Sequence, residues 1–245
     1  PMLGSKYLQS RIGNTYKETL TYLKENRLVL FTGSPCQIKG LYSFLRNKKY
    51  VNLITMDFLC HGVPSPGVWK RYFEENFVEE RINPPLAEVG KNFVLKTSLN
   101  INFPIGEVKF RDKFESGWKT FRFVVRQKSA FKADKNIVLL SNIYYDNPYM
   151  KGFLSDLYLR PSCYECRCKN GVSHSDITIG DYWGVKEVDK ELDDDRGLSV
   201  VMLNTEKGQE LFLHLKGLRS KQIFLDNAKR LNGGFSEHTI PHPKR

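Results

Sequence analysis

At 245 residues the chain can bury a substantial core, as one large domain or as a domain with a subsidiary lobe. Hydrophobic residues make up 40% and charged residues 27%, an ordinary globular balance, and no apolar run approaches the roughly 18 residues that cross a membrane. The formal charge of +11 suits an anionic partner, but Lys109, Arg122, Arg126 and Lys128 belong to a basic excess spread along the chain. With neither a stacking platform nor a helix-turn-helix, no nucleic-acid partner is expected, and a phosphate-bearing cofactor, an acidic redox partner or a solvated surface accounts for the charge as well.

The N-terminal stretch PMLGSKYLQS has no apolar core of signal-peptide length, so a cytoplasmic location with reduced cysteines is expected. Residues 14–26 carry Tyr16, Leu20 and Leu23 at helical spacing behind a candidate Asn14 cap. The run 28–32, LVLFT, reads as a buried strand of a parallel sheet and ends in Gly33-Ser34-Pro35-Cys36; helical spacing resumes over 38–45. This puts Cys36 in the turn between strand and helix. The same unit follows again: 51–59 is a strand, Cys60-His61-Gly62 closes it, and a helix runs over about 67–80. Two strand–helix units in succession predict an α/β fold, with a parallel or mixed sheet flanked by helices and both cysteines at the strand ends where such sheets place their sites.

Beyond Asn83 the pattern changes to alternation, in 108–111 and 119–125 around a Gly117-Trp118 turn, which predicts antiparallel strands. The expected organisation is an α/β core of 1–83 and 143–245 with a β-rich antiparallel insertion or lobe at 84–142. A helix over 147–159 leads to the cysteine knuckle Cys163, Cys166 and Cys168, which holds three of the five cysteines. A short strand at 176–179, an aromatic turn at 180–184, an acidic solvated loop at 186–197, a strand at 198–203 and a helix at 205–216 capped by Thr205 complete the chain.

A C-x-x-C turn brings two thiolates to one metal or cluster and supplies half of a four-thiolate site. The other cysteines, Cys36 and Cys60, each follow a strand and are flanked by glycine and proline, so two strand ends and the knuckle at Cys163 and Cys166 together supply four thiolates, for an iron–sulfur cluster or a zinc ion. His61, beside Cys60, is a candidate ligand, proton carrier or plain turn residue. It is taken as the candidate catalytic group.

In GSKYLQS, FTGSPCQIKGL, MDFLCHGVPSPGVW, FRDKFESGW, RPSCYECRCK and DITIGDYWG, met in this order over nearly the whole chain, the sequence resembles the beta subunit family of coenzyme F420 hydrogenases and dehydrogenases, in its C-terminal domain. The resemblance implies an oxidoreductase that binds FAD and a 4Fe-4S cluster and passes electrons between a partner's iron–sulfur chain and coenzyme F420 or another acceptor. It implies Cys36, Cys60, Cys163 and Cys166 as the cluster ligands, with Cys168 as an extra. The partners it implies are other redox subunits or a ferredoxin. Family members often begin with a ferredoxin-like module and a serine- and glycine-rich segment that helps to hold the flavin, so the chain is expected to be a fragment with an incomplete FAD site. Ser5, Lys6, Ser10 and Arg11 are the candidates for the flavin pyrophosphate. A reading from another class is a zinc-stabilised interaction module associated with a polysaccharide-pathway enzyme.

Overall fold

A computed structural model describes residues 7–77, 105–113, 117–127, 137–169, 173–188, 190–230 and 232–235. The chain contacts separate two compact units, one built mainly from Val63–Arg160 and the other from Ser10–Gly62 with Pro161–Pro241. Among the described residues, no helix is long and apolar enough to cross a membrane.

The second unit is the α/β unit. It begins with α1 (Thr15–Lys24), whose Leu23 packs on the core. Asn14 stands at the capping position but its side chain makes no capping bond. Strands β1 (Val29–Thr32) and β2 (Leu53–Phe58) pair in parallel, Val29 opposite Leu53, across the connecting helix α2 (Pro35–Phe44). The next strand of this sheet, β6 (Ile177–Asp181), joins β2 in parallel with Asp57 opposite Thr178, and β7 (Ser199–Leu203) joins β6 antiparallel. The sheet is therefore mixed, in the order β1-β2-β6-β7. Because β1 is an edge strand, it is not the buried strand its apolar run suggests: Phe31 is buried while Leu30 stays 55% exposed. Ile38 and Leu41 of α2 are fully buried against Phe31 and Leu53, which closes one core cluster. A second cluster forms around Tyr182, Val185, Val200, Ala228 and Phe235. It includes α6 (Val185–Val188) and α8 (Leu225–Lys229), and the aromatic turn expected at 180–184 gives its first two residues to β6. Within the acidic stretch, Lys190–Leu192 form a short 3-10 helix. The last long helix, α7 (Glu206–Leu213), starts as expected at Thr205, whose side chain accepts the Gly208 N–H.

The other unit contains α3 (Pro66–Phe77), the antiparallel sheet β3 (Ile105–Asp112), β4 (Arg122–Gln127) and β5 (Ile137–Ile143), and α4 (Pro148–Leu154). Residues 84–142 contribute β3, β4 and most of β5 to it; the rest of that stretch lies outside the described residues. Its core is aromatic. Trp69 of α3 lies 5.2 Å from Phe110 and 5.1 Å from Tyr149, ring centre to ring centre, and Phe123 is fully buried beside them. Asn147 caps α4, accepting the Met150 N–H at 2.9 Å, and the helix stops at Leu154, five residues earlier than the apolar spacing predicts.

Two buried carboxyl groups tie the central strands of the α/β unit together. Asp57, 2% exposed, accepts hydrogen bonds from Ser173 Oγ at 2.5 Å, Ser175 Oγ at 2.8 Å and Thr178 Oγ1 at 2.5 Å. Asp176 accepts from the Thr55 N–H at 2.8 Å, Thr55 Oγ1 at 2.9 Å and Thr205 Oγ1 at 2.7 Å. With its own proton given to Asp176, Thr55 Oγ1 accepts from the Tyr42 hydroxyl at 2.8 Å. Asp57→Ala leaves three buried hydroxyls without their acceptor and should lower unfolding stability by about 3 kcal/mol or more, with Asp57→Asn milder. Chemical denaturation checks this, and a loss below about 1 kcal/mol would mean that the network carries little of the fold.

Candidate functional site

All five cysteines are free thiols, and all belong to the α/β unit. After β1, Gly33 and Ser34 turn the chain and Pro35 opens α2 with its preset φ. Gln37 Oε1 accepts the Ser34 N–H at 2.9 Å, which satisfies a donor the helix cannot. The helix therefore starts earlier than the spacing predicts, and Cys36 lies in its first turn rather than in the loop before it. Cys36 is exposed, with Sγ 3.2 Å from Ser34 Oγ.

The second thiol follows β2. Pairing with β6 continues to Leu59, whose N–H donates to the Ile179 carbonyl at 2.8 Å, and Cys60-His61-Gly62 then leaves the sheet. Gly62 adopts a φ of 150°, open to glycine and rarely to other residues. Cys60 is half-buried and His61 is exposed. The knuckle is one helical turn, α5 (Pro161–Tyr164), followed by an open turn. Cys163 lies in α5, and Cys166 lies beyond it, accepting the Cys168 N–H on Sγ at 3.4 Å. Amide donors of this kind hold and tune cluster thiolates.

Lys169 closes the arrangement. It is 6% exposed, and its ammonium donates to the His61 carbonyl at 2.7 Å, joining the end of the knuckle to the loop after β2. Burial pushes the Cys60 thiol up to about 12; the Lys169 charge opposes this, and Cys36, Cys163 and Cys166 each add to it. Two segments far apart in sequence, one around Cys36 and one over 163–169, thus act on the Cys60 sulfur. Cys168 is also raised, first by burial and then by Cys166 and Cys36, with Lys39 pulling the other way. Cys36, Cys163 and Cys166 all act on Cys60, yet among the described residues no three His, Cys, Asp or Glu side chains stand in position to hold a metal ion. The chemistry of the donor set nonetheless fits a cationic iron–sulfur or zinc centre: four thiols, an N–H···S bond and a shielded sulfur whose ionisation needs a nearby positive charge.

The flavin candidates divide. Ser5 and Lys6 lie outside the described residues. Ser10 and Arg11 are exposed, and Gln37 Nε2 donates to the Ser10 carbonyl at 3.2 Å and to Ser10 Oγ at 3.3 Å. Gln37 thus connects Ser10 to the capped turn that carries Cys36. Sequence reasoning misses Lys169; the signal available to it was a lysine directly after the knuckle. With Cys60 held protonated by burial, alkylation of the metal-free chain near pH 8 should label exposed Cys36 at least about tenfold faster than Cys60. Peptide mass mapping over time reads this, and equal rates would show that the Cys60 sulfur is open.

Residues 26–223 match the family model for the C terminus of the coenzyme F420 hydrogenase/dehydrogenase beta subunit. No curated protein matches the sequence. Among solved structures, the chain is similar to one from the xenon-derivatised F420-reducing nickel–iron hydrogenase complex of Methanosarcina barkeri, with 15% identity and a TM-score of 0.42. That similarity covers 86% of this chain and 55% of the other, so the chain spans little more than half the length of that relative. The family match extends over most of the 245 residues and takes in all five cysteines, and the chain belongs to the family of C-terminal domains of coenzyme F420 hydrogenase/dehydrogenase beta subunits.

Proposed function

We propose that this chain is the cluster-bearing domain of an oxidoreductase, holding a 4Fe-4S cluster on Cys36, Cys60, Cys163 and Cys166. In this reading it passes electrons between that cluster, FAD and a deazaflavin or other acceptor, inside the cell and in company with other redox subunits or a ferredoxin. Residues 84–142 are taken as a β-rich insertion into the core. The observation that carries the reading is the family match over residues 26–223, which takes in Cys36, Cys60, Cys163 and Cys166; the influence of Cys36, Cys163 and Cys166 on the Cys60 thiol supports it.

A flavin exchanges a hydride with a deazaflavin and single electrons with a cluster, so the two together convert between these currencies. The residues of this chain do the holding and the tuning. Lys169 brings a buried positive charge to the Cys60 side of the site while fixing the His61 carbonyl. The Cys168 amide directs Cys166, which gives that residue a backbone role and leaves its thiol spare. In this reading His61, exposed beside Cys60, carries a proton between solvent and a bound acceptor. Ser10, held through Gln37 to the first turn of α2, offers a hydroxyl and its neighbour Arg11 a guanidinium to the flavin pyrophosphate, with Ser5 and Lys6 as the further candidates.

Anaerobic purification followed by iron, sulfide and zinc analysis tests the reading. Cys163→Ser should abolish the broad visible absorption of the reconstituted protein, and Cys168→Ser should leave it. The opposite pair of results would overturn the ligand set. A colourless protein with one zinc per chain after attempted reconstitution would favour a zinc-stabilised interaction module, since four thiolates also suit that ion.

A further inference from the structure

We infer that the α/β unit carries a second ligand site, a cleft for a small, multiply charged oxyanion, at the end of the sheet opposite the cysteines. The cleft encloses about 720 Å³, a volume of the size that small-ligand sites use. Its walls come from α2, the α2–β2 connection, the segment before β6 and the start of α7. Leu53, the first residue of β2, and Asp176, directly before β6, lie in its lining. Cys36 and Cys60 follow the other ends of β1 and β2, so this cleft is distinct from the cysteine site.

Its lining is cationic. Lys39, Lys48, Lys49 and Lys207 outnumber the acidic Asp176 and Glu206, and a concave wall focuses the field of grouped charges. Asp176 turns its carboxyl oxygens to Thr55 and Thr205, where donors already meet them. Lys207 Nζ donates to the Leu53 carbonyl at 2.6 Å and the Tyr50 carbonyl at 3.3 Å, which fixes one ammonium in the wall. Lys48 Nζ stands 5.2 Å from the centre of the Tyr50 ring. The first turn of α7, with its amide donors, opens at Thr205 on the same lining.

Two rim residues, Asn47 and His174, have φ of 56° and 62°. Asn47 belongs to the turn that ends α2, where its N–H donates to the Tyr42 carbonyl at 2.9 Å. His174 is held there by its neighbours: Ser173 and Ser175, both fully buried, bond Asp57 on either side of it. The exposed imidazole thereby joins the lysines at the rim. An oxyanion with a single charge would leave most of these cations unanswered, so the ligand class is a phosphate ester or diphosphate, or a small polycarboxylate.

Titration calorimetry at low ionic strength, with inorganic pyrophosphate and with citrate as probes, tests the site. It compares the 245-residue chain with the Lys48→Gln/Lys49→Gln pair and with a control pair, Lys24→Gln/Lys216→Gln, which removes two exposed charges elsewhere on the same unit. Saturable binding of at least one probe is expected, weakened about tenfold or more in the first pair and less than about twofold in the control. Preference for pyrophosphate marks a phosphorylated ligand, and preference for citrate a carboxylated one. Absence of saturable binding by either probe, or equal weakening in both pairs, would overturn the site.

Discussion

The arrangement of the α/β unit rests on the cost of burying two carboxyl groups. A buried polar group without partners costs more than a hydrogen bond returns, so the fold must bring donors to Asp57 and Asp176. Those donors are the hydroxyls of Ser173, Ser175, Thr178, Thr55 and Thr205, drawn from β2, the approach to β6, β6 itself and the cap of α7. Asn204 extends the network, donating to the Ser175 carbonyl at 3.1 Å and to Thr178 Oγ1 at 3.0 Å. The register of β2 against β6 is thereby fixed.

Two contacts flank the end of the knuckle: the Lys169 ammonium donates to the His61 carbonyl, and Ser173 Oγ donates to Asp57. The first ties the knuckle to the loop that carries Cys60. Burial, with Cys36, Cys163 and Cys166 adding to it, raises the Cys60 thiol against the pull of the Lys169 charge. A bound cation reverses that preference, because a metal favours the thiolate and its binding releases protons. Lys169 supplies part of that positive field in advance, which makes it a positioning residue of the site rather than a ligand.

Much of this was legible in the sequence for a local reason. Strand ends marked by glycine and proline and repeated strand–helix units are short-range signals, and the α/β class with its helix-flanked sheet follows from them. The start of α2 at Pro35 was hidden because a capping glutamine decides it, through a contact that helical spacing does not record. The exposure of Leu30 depends on β1 being an edge, which is a property of the whole sheet. The Asp57 and Asp176 networks join residues more than a hundred positions apart, and serine and threonine near an aspartate read as loop chemistry until the strands are placed. The lysines of the opposite cleft were seen only as part of a diffuse positive charge; the α2–β2 connection and the first turn of α7 gather them.

X-ray absorption at the iron and zinc edges of anaerobically prepared protein tests the central claim, convergence of four thiolates on one centre, most directly. The account predicts iron with an all-sulfur first shell and a resolved iron–iron distance, as in a cubane cluster. Metal bound through nitrogen and oxygen, or protein that takes up neither metal at these cysteines, would contradict it.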